Sequence, residues 1–248
     1  MHILYPSLPY ESWEADPLWK PEYSWAGAAG LPVGLFDVET LRLWPKAPAA
    51  PALYRGWMLT EPEYKLLEQV APVLISHKSY LSAHLASGWY EAIREYTFAS
   101  TFQPASHLPD FSAGQRYFVK GLVKSFGPDS VVASGAEWQE LLRKHGVLSD
   151  ELLFVRQYAE LQPDSERRYL VVGGVAYGAE GKLLPKKLEP ALFQLRPRLF
   201  YSLDVALTAA GHPIIVEVGD GQVSDLKEWD VADFGRTVLR ALAAVTQA

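Results

Sequence analysis

Three short segments of the chain carry side chains that can do chemistry. Residues 117–127 set Lys120 and Lys124 among apolar neighbours, with Ser125 and Gly127 behind them. Read as a strand, the segment puts both lysines on one face with Phe118 and Leu122. A lysine leaving an apolar face can bring a point charge to a phosphate oxygen. The plainer alternative is a solvated hairpin face on which the lysines snorkel. Further on, Arg156-Gln157-Tyr158 ends one strand, and Glu166 precedes Arg167 and Arg168 at the head of the next. Alternation sends the two arginines to opposite faces, so only one can enter a given cleft. The alternative there is an edge strand blunted by charge. Finally, Asp204 stands in an apolar run and Glu217 among β-branched residues. A carboxylate in such a strand is costly to bury unless it is paired or bound to metal. Two such strands in a hairpin could aim both carboxylates at one cation, and hard oxygen ligands suit Mg²⁺. Asp220-Gly221, just beyond, fits a two-residue hairpin turn.

These residues need strands to hold them, and the sequence supplies candidates. In the first part, residues 2–5 read as a strand, 17–29 as a helix, 33–37 as a strand and 53–58 as extended, with a breaker stretch at Pro45, Pro48 and Pro51. Thr60-Glu61-Pro62-Glu63 has capping-box spacing and opens a helix whose stripe is Tyr64, Leu67, Val70 and Ala71. That alternation is an α/β pattern, and the expected division is an N-terminal domain over 1–75 and a second domain over 76–248. The second part reads as hairpins. Residues 116–125 and 131–133 flank Gly127-Pro128-Asp129, 167–172 and 175–177 flank Gly173-Gly174, and 199–207 and 213–218 flank Ala210-Gly211. A helix opens at Ser134-x-x-Glu137 and stops at Gly146, a strand spans 152–158, and Val231, Phe234, Val238, Leu242 and Val245 line a closing helix. Hairpins with few helices predict an antiparallel, α+β second domain.

Composition narrows the function. The 248 residues carry a net charge of −6, with 49% hydrophobic and 21% charged residues, the balance of a soluble globular protein. There is no Cys, so disulfides, thiolate metal sites and a Cys nucleophile are excluded. The mild acidity argues against a nucleic-acid partner. No apolar run is long enough for a membrane span, and the start lacks a basic leader, so a cytoplasmic location is expected. The phosphate loop, the dinucleotide fingerprint, the zinc-protease motif and the nucleophile elbow are all missing. The six His show no ligand spacing.

Taken in order, the lysine strand, the hinge strand, the acidic-x-Arg strand, the Asp strand and the Glu-Val strand resemble the ATP-grasp superfamily of carboxylate–amine ligases, over about residues 115–225 and more loosely over the whole chain. The resemblance implies two lobes with antiparallel sheets gripping ATP, preceded by a small α/β domain. It implies that Lys120 contacts the ATP phosphates, that Gln157 and Tyr158 form the adenine-side hinge, and that Glu166 holds the ribose. Arg168 would face phosphates or substrate, and Lys124 and Ser125 would sit in the loop that covers the phosphates. Asp204 and Glu217 match the magnesium carboxylates. The usual Glu-x-Asn is Glu217-Val218-Gly219 here, and the chain has no Asn at all. Asp220 is then the candidate for the missing ligand, the alternative being a second metal that binds more weakly. The segment Tyr54-Arg55-Gly56-Trp57-Met58 also resembles a little-characterised ATP-grasp family, which makes Arg55 a candidate substrate anchor; an ordinary strand-end arginine is the alternative. Arg196 and Arg198 could hold a carboxylate bidentately, or belong to a charged connecting loop.

The implied function is an ATP- and Mg²⁺-dependent ligase acting through an acyl phosphate, with a small-molecule or peptide carboxylate and an amine acceptor as partners. The alternatives are an ATP-binding module without ligase activity, and an interaction domain that uses the aromatic-rich first hundred residues.

Overall fold

The computed structural model describes residues 1–45 and 50–246. Pro48, from the breaker stretch, lies outside the described residues. The first sheet is built from β1 (His2–Leu8), β2 (Glu11–Ala15), β3 (Val33–Asp37), β4 (Arg42–Trp44) and β5 (Ala52–Tyr54), with α1 (Lys20–Ala28) crossing from β2 to β3. β1 runs parallel to β3 and β5 and antiparallel to β2, and β4 closes the edge beside β3. The extended stretch expected over 53–58 stops at Tyr54: the Arg55 amide makes the last ladder bond to the Leu4 carbonyl, and the Gly56 amide turns away to the carbonyl of Gln222.

Helix α2 (Glu61–Val70) starts with the expected reciprocal cap between Thr60 and Glu63. Two further helices, α3 (His77–His84) and α4 (Ala86–Ile93), follow that the sequence reading did not assign, although Ala86, Trp89, Tyr90 and Ile93 give α4 a short stripe; Ser76 caps the first by accepting from the Ser79 amide.

The second sheet comprises β6 (Ser100–Pro104), β7 (Tyr117–Lys120), β8 (Val131–Val132) and β9 (Leu152–Gln157), all antiparallel in the order β6-β9-β7-β8. Helix α5 (Gly135–His145) backs it, burying Trp138 and Leu141 against Val119, Leu153 and Val155. Each fully buried side chain of this kind contributes about 1.5–3 kcal/mol. With Val119 and Val155 turned inward, alternation leaves Phe118, Lys120 and Arg156 on the opposite face. The lysine strand ends at Lys120 rather than Ser125. Gly121 N donates to Lys124 O, so Lys124 sits in a tight loop and not on a strand face shared with Lys120.

The third sheet is the antiparallel set β10 (Arg167–Val172), β11 (Val175–Gly178), β12 (Phe200–Leu207) and β13 (Pro213–Asp220), in the order β11-β10-β12-β13, with α6 (Glu189–Gln194) in the connection between β11 and β12. Arg168, Asp204 and Glu217 are cross-strand neighbours in one row. Immediately beside them the register shifts: Asp204 pairs with Glu217 but Val205 pairs with Ile215, which leaves Val216 as a β-bulge.

The expected closing helix is interrupted. It runs as α7 (Val231–Phe234), a π-helical turn Gly235–Leu239, and α8 (Arg240–Val245). The break coincides with the close approach of Trp25, whose ring would lie 2.2 Å from a Cβ at Gly235. The largest apolar core joins Ile3, Leu53, Tyr64 and Tyr80 to Leu170, Phe200 and Phe234, and so crosses the division expected after residue 75. Among the aromatic residues of the first hundred positions, Tyr5, Trp19, Tyr54, Tyr64, Tyr80 and Trp89 are core, whereas Tyr10, Trp13, Trp44 and Trp57 are exposed. Among the described residues, no helix is long and apolar enough to cross a membrane.

Candidate functional site

Two cavities of about 520 and 510 Å³ adjoin between the sheets and share Ser125 and Glu217 in their walls. The first is bordered by Trp57, Met58, His84, Lys124, Arg168, Asp204 and Ser224. The second is bordered by Phe98, Phe118, Lys120, Arg156, Tyr158 and Glu166. Lys120, 6% exposed, pairs with Glu217 across the gap between the second and third sheets. Arg156 reinforces that junction. Its guanidinium lies between the rings of Phe98 and Phe118, at 4.7 and 4.5 Å from their centroids, and donates to the carbonyl of the bulged Val216 at 3.2 Å. Burial pulls Arg156 down to about 10, still cationic at neutral pH.

On the third sheet Arg168 lays its fork on Asp204, Nε to Oδ1 and Nη2 to Oδ2, both at 2.8 Å. It also pairs with Asp225, and its amide donates to Glu228 at 2.8 Å. Lys227 completes the cluster, with Nζ 2.8 Å from Asp204 and 2.5 Å from Glu166. Burial alone pushes the Asp204 carboxyl up, but the Arg168 fork and Lys227 outweigh it and hold the group below its ordinary value. Lys227 moves up for the complementary reason: burial opposes its charge, and Asp204 and Glu166 more than restore it. His84, stacked on Tyr80, is pushed down to about 4 by burial and by the charges of Lys120 and Lys124, so it is a neutral imidazole at pH 7.

Of the residues singled out from the sequence, Lys120, Lys124, Ser125, Tyr158, Glu166, Arg168, Asp204, Glu217 and Asp220 all border the joined cavities. Gln157 does not. It alternates to the far face of β9 and lines a separate groove with Ser100, Asp110 and Tyr117, while Arg156 and Tyr158 face the site. Arg55 corrects the expectation of a substrate anchor. It is 0% exposed, and it donates to Glu22 and to the carbonyls of Gly221, Gln222 and Ser224 at 2.5–3.2 Å, with its guanidinium over Trp19 and Phe234. It braces the turn after β13. Arg196 is exposed and lies over Phe193 of the preceding helix. Arg198 is buried and donates to the carbonyls of Ser82 and Gly88. Neither borders either cavity, because both are committed to holding α6 and the α3–α4 corner.

Of the three expected metal ligands, Asp204 and Glu217 stand side by side on neighbouring strands, and Asp220 does not join them. Both oxygens of Asp204 are taken by cations, and Glu217 is paired with Lys120. Asp220 is opposite Tyr201, three residues along from Glu217, and its Oδ1 accepts from the amide and Nε2 of Gln222. Burial pushes that carboxyl up to about 7. Among the described residues no group of three or more His, Asp or Glu could hold a metal ion. The donor set as placed therefore does not fit a magnesium site built by the chain itself.

Sequence reasoning missed Arg156, His84, Asp225 and Lys227. The Arg156 position was open to alternation arguments, since it follows the buried Val155. Asp225-Leu226-Lys227-Glu228 has no periodicity and reads as a solvated charge run.

The comparisons with known proteins agree with this architecture. A family described as an ATP-grasp domain, the third family of its clade, matches residues 61–242. No curated protein sequence matches the chain. Among solved structures, the D-cycloserine synthetase DcsG superposes with a TM-score of 0.65 at 12% identity, covering 99% of each chain. A RimK domain ATP-grasp protein from Sphaerobacter thermophilus gives 0.63 at 16% identity, over 99% of this chain and 100% of that one. The ATP-grasp ligase PsnB, solved with minimal precursor, Mg and ADP, gives 0.57 at 10% identity over 99% and 98%. At these identities the likeness is one of fold, and the fold is the α+β arrangement expected from the order of the strands.

Proposed function

This chain belongs to the ATP-grasp domain family that matches residues 61–242, and from that premise we propose that it is an ATP-dependent ligase joining a carboxylate to an amine, or to another nucleophile, through an acyl phosphate. The observation that supports the reading most is one crevice bordered by Lys120 from the second sheet and by Glu166, Arg168, Asp204 and Glu217 from the third-sheet side. In this reading the base lies beside Phe118, Arg156 and Tyr158, and Glu166 receives the ribose hydroxyls. Lys120, Lys124 and Arg168 bring positive charge to the phosphates, and Ser125 donates from the same loop. A substrate carboxylate oxygen attacks the γ-phosphorus. Its O–P bond forms as the bond to the bridging oxygen breaks, and ADP leaves. The amine then attacks the acyl carbon, inorganic phosphate departs and the amine gives up a proton. The fixed cations offset the charge that builds on the transferred group, and the crevice supplies positioning. The far end of the first cavity, with Trp57 and Met58, suits a substrate with an apolar portion. A cytoplasmic location belongs to this reading, since ATP is abundant there.

The test is a titration with Mg·ATP. A rise in Tm and a calorimetric isotherm are expected, followed by ADP release that one carboxylate and amine pair from a panel of amino acids and short peptides stimulates. No response at millimolar nucleotide overturns the proposal. One observation favours a second reading, a nucleotide-binding module without ligation: Gly219 stands where the resemblance calls for Asn. Nucleotide binding with no ADP release on any panel selects that reading.

A further inference from the structure

Both oxygens of Asp204 already face cations, Oδ1 accepting from Arg168 and Oδ2 from Arg168 and Lys227. Lys227 occupies the gap between Asp204 and Glu166, two carboxylates that come from different segments of the chain. An ammonium within bonding distance of both stands where a bridging cation would stand. The chain holds it there against backbone preference: Lys227 has φ +45°, the left-handed region that non-glycine residues rarely adopt. The residues around it are fastened to Arg168. Glu228 accepts from its amide at 2.8 Å, Trp229 Nε1 donates to its carbonyl at 3.1 Å, and Asp225 pairs with its guanidinium.

A second observation points the same way. Gly219 follows Glu217 by two, so a side chain there would share its face. A Cβ at 219 would lie 2.7 Å from Ser202 Oγ and 3.2 Å from Ser224 Oγ. Those hydroxyls bond each other at 2.8 Å, and Ser224 donates to the Asp220 carbonyl. The space for a third ligand beside Glu217 is closed by this serine pair rather than left open.

We propose that Lys227 is a resident cation of the nucleotide site, that Asp204 serves it and Arg168 rather than a metal, and that the nucleotide therefore brings a single divalent ion, against Glu217. The inference rests on the ligase reading and deepens it. A fixed ammonium supplies charge without a coordination shell and without dependence on free Mg²⁺; Glu217, held only by Lys120, is the carboxylate that would hold an ion arriving with the nucleotide.

The experiment counts ions. Mn²⁺ is titrated into the protein with AMP-PNP, protein in excess over nucleotide, and free Mn²⁺ is followed by electron paramagnetic resonance. One Mn²⁺ per nucleotide complex is expected, unchanged in Asp204→Asn and weakened tenfold or more in Glu217→Gln. Lys227→Met is expected to weaken AMP-PNP about tenfold in excess Mg²⁺. Two Mn²⁺ per complex in the wild-type protein, loss of the tight ion in a folded, nucleotide-bound Asp204→Asn, or unchanged AMP-PNP affinity in Lys227→Met each overturns the proposal. Should Asp204→Asn fail to fold, the wild-type count decides alone. Absence of AMP-PNP binding in excess Mg²⁺ is a different result, and it overturns the ligase reading on which this one rests.

Discussion

Lys120 and Glu217 are 97 residues apart and belong to different sheets, yet their side chains meet and close the crevice between those sheets. The lysine is nearly buried and the glutamate about two-fifths exposed, so the pair is weak as a structural bond and well placed for exchange. Lys120→Ala is expected to change stability by about 1 kcal/mol or less. The same variant is expected to lose about 100- to 1000-fold in Mg·ATP-dependent turnover, the scale of one lost electrostatic donor at a transferring group. Thermal melting and ADP release, measured together, check this. A large drop in Tm with full turnover would assign the lysine to the scaffold.

Arg55 should behave in the opposite way. Removing its side chain strands Glu22, which is itself buried and already raised by burial more than the arginine lowers it. Arg55→Ala is therefore expected to cost about 3–5 kcal/mol in urea unfolding, the scale of a broken buried ion pair. Arg55→Met combined with Glu22→Gln should recover part of that loss. A stable Arg55→Ala protein with a raised KM for substrate would restore the role of anchor.

Arg196 and Arg198 separate by burial. Arg196→Ala should stay within about 0.5 kcal/mol of wild type, as exposed substitutions do. Arg198→Ala removes donors from the carbonyls of Ser82 and Gly88 and should cost about 1–3 kcal/mol. Neither variant is expected to change nucleotide affinity, and calorimetry on the two proteins tests that directly.

The Asp220 carboxyl, at about 7 in the fold against an ordinary 3.8, sets a pH signature. Between about pH 4 and 7 the unfolded chain has lost this proton and the folded chain keeps it, so this group makes stability fall as pH rises through that window. Asp204, held low by its cations, acts in the other direction: its contribution is complete above the ordinary carboxylate range and is lost only as pH drops below it. Asp220→Asn keeps an acceptor for Gln222 and removes the titration. Its stability should gain on wild type as pH climbs from about 4 to 8, by a margin of about 2–4 kcal/mol in urea unfolding. A constant difference across that range contradicts the assignment.

What the sequence disclosed was whatever a local rule controls. The caps at Thr60 and Ser134 act over four residues, and both are present. Gly146 ends α5 in the left-handed conformation that a glycine stop implies. Asp204 and Glu217 stood out because a carboxylate in an apolar strand needs a partner, and both have one. In the fold Asp204 meets Arg168 and Lys227, two partners that its own strand does not announce. Lys227 owes its position to a loop that only the folded chain brings to β10 and β12. Gln157 was misjudged by a single residue, which in a strand is the whole difference between two faces. Helix α3 escaped because its apolar residues are sparse, whereas α4 carries Ala86, Trp89, Tyr90 and Ile93 at helical spacing and was missed because that stripe spans only eight residues.

The extra residue at Val216 settles a conflict of parity. Ile215 and Glu217 lie two apart, and a regular ladder would point them the same way, both into oil or both into water. With one residue slipped between them, Ile215 pairs with Val205 and is sealed in the apolar interior, while Glu217 pairs with Asp204 and reaches the crevice. Removing that residue would leave Ile215 and Glu217 adjacent in a regular ladder and still on opposite faces, but it would take away the carbonyl that receives Arg156 and so unfasten the junction between the sheets.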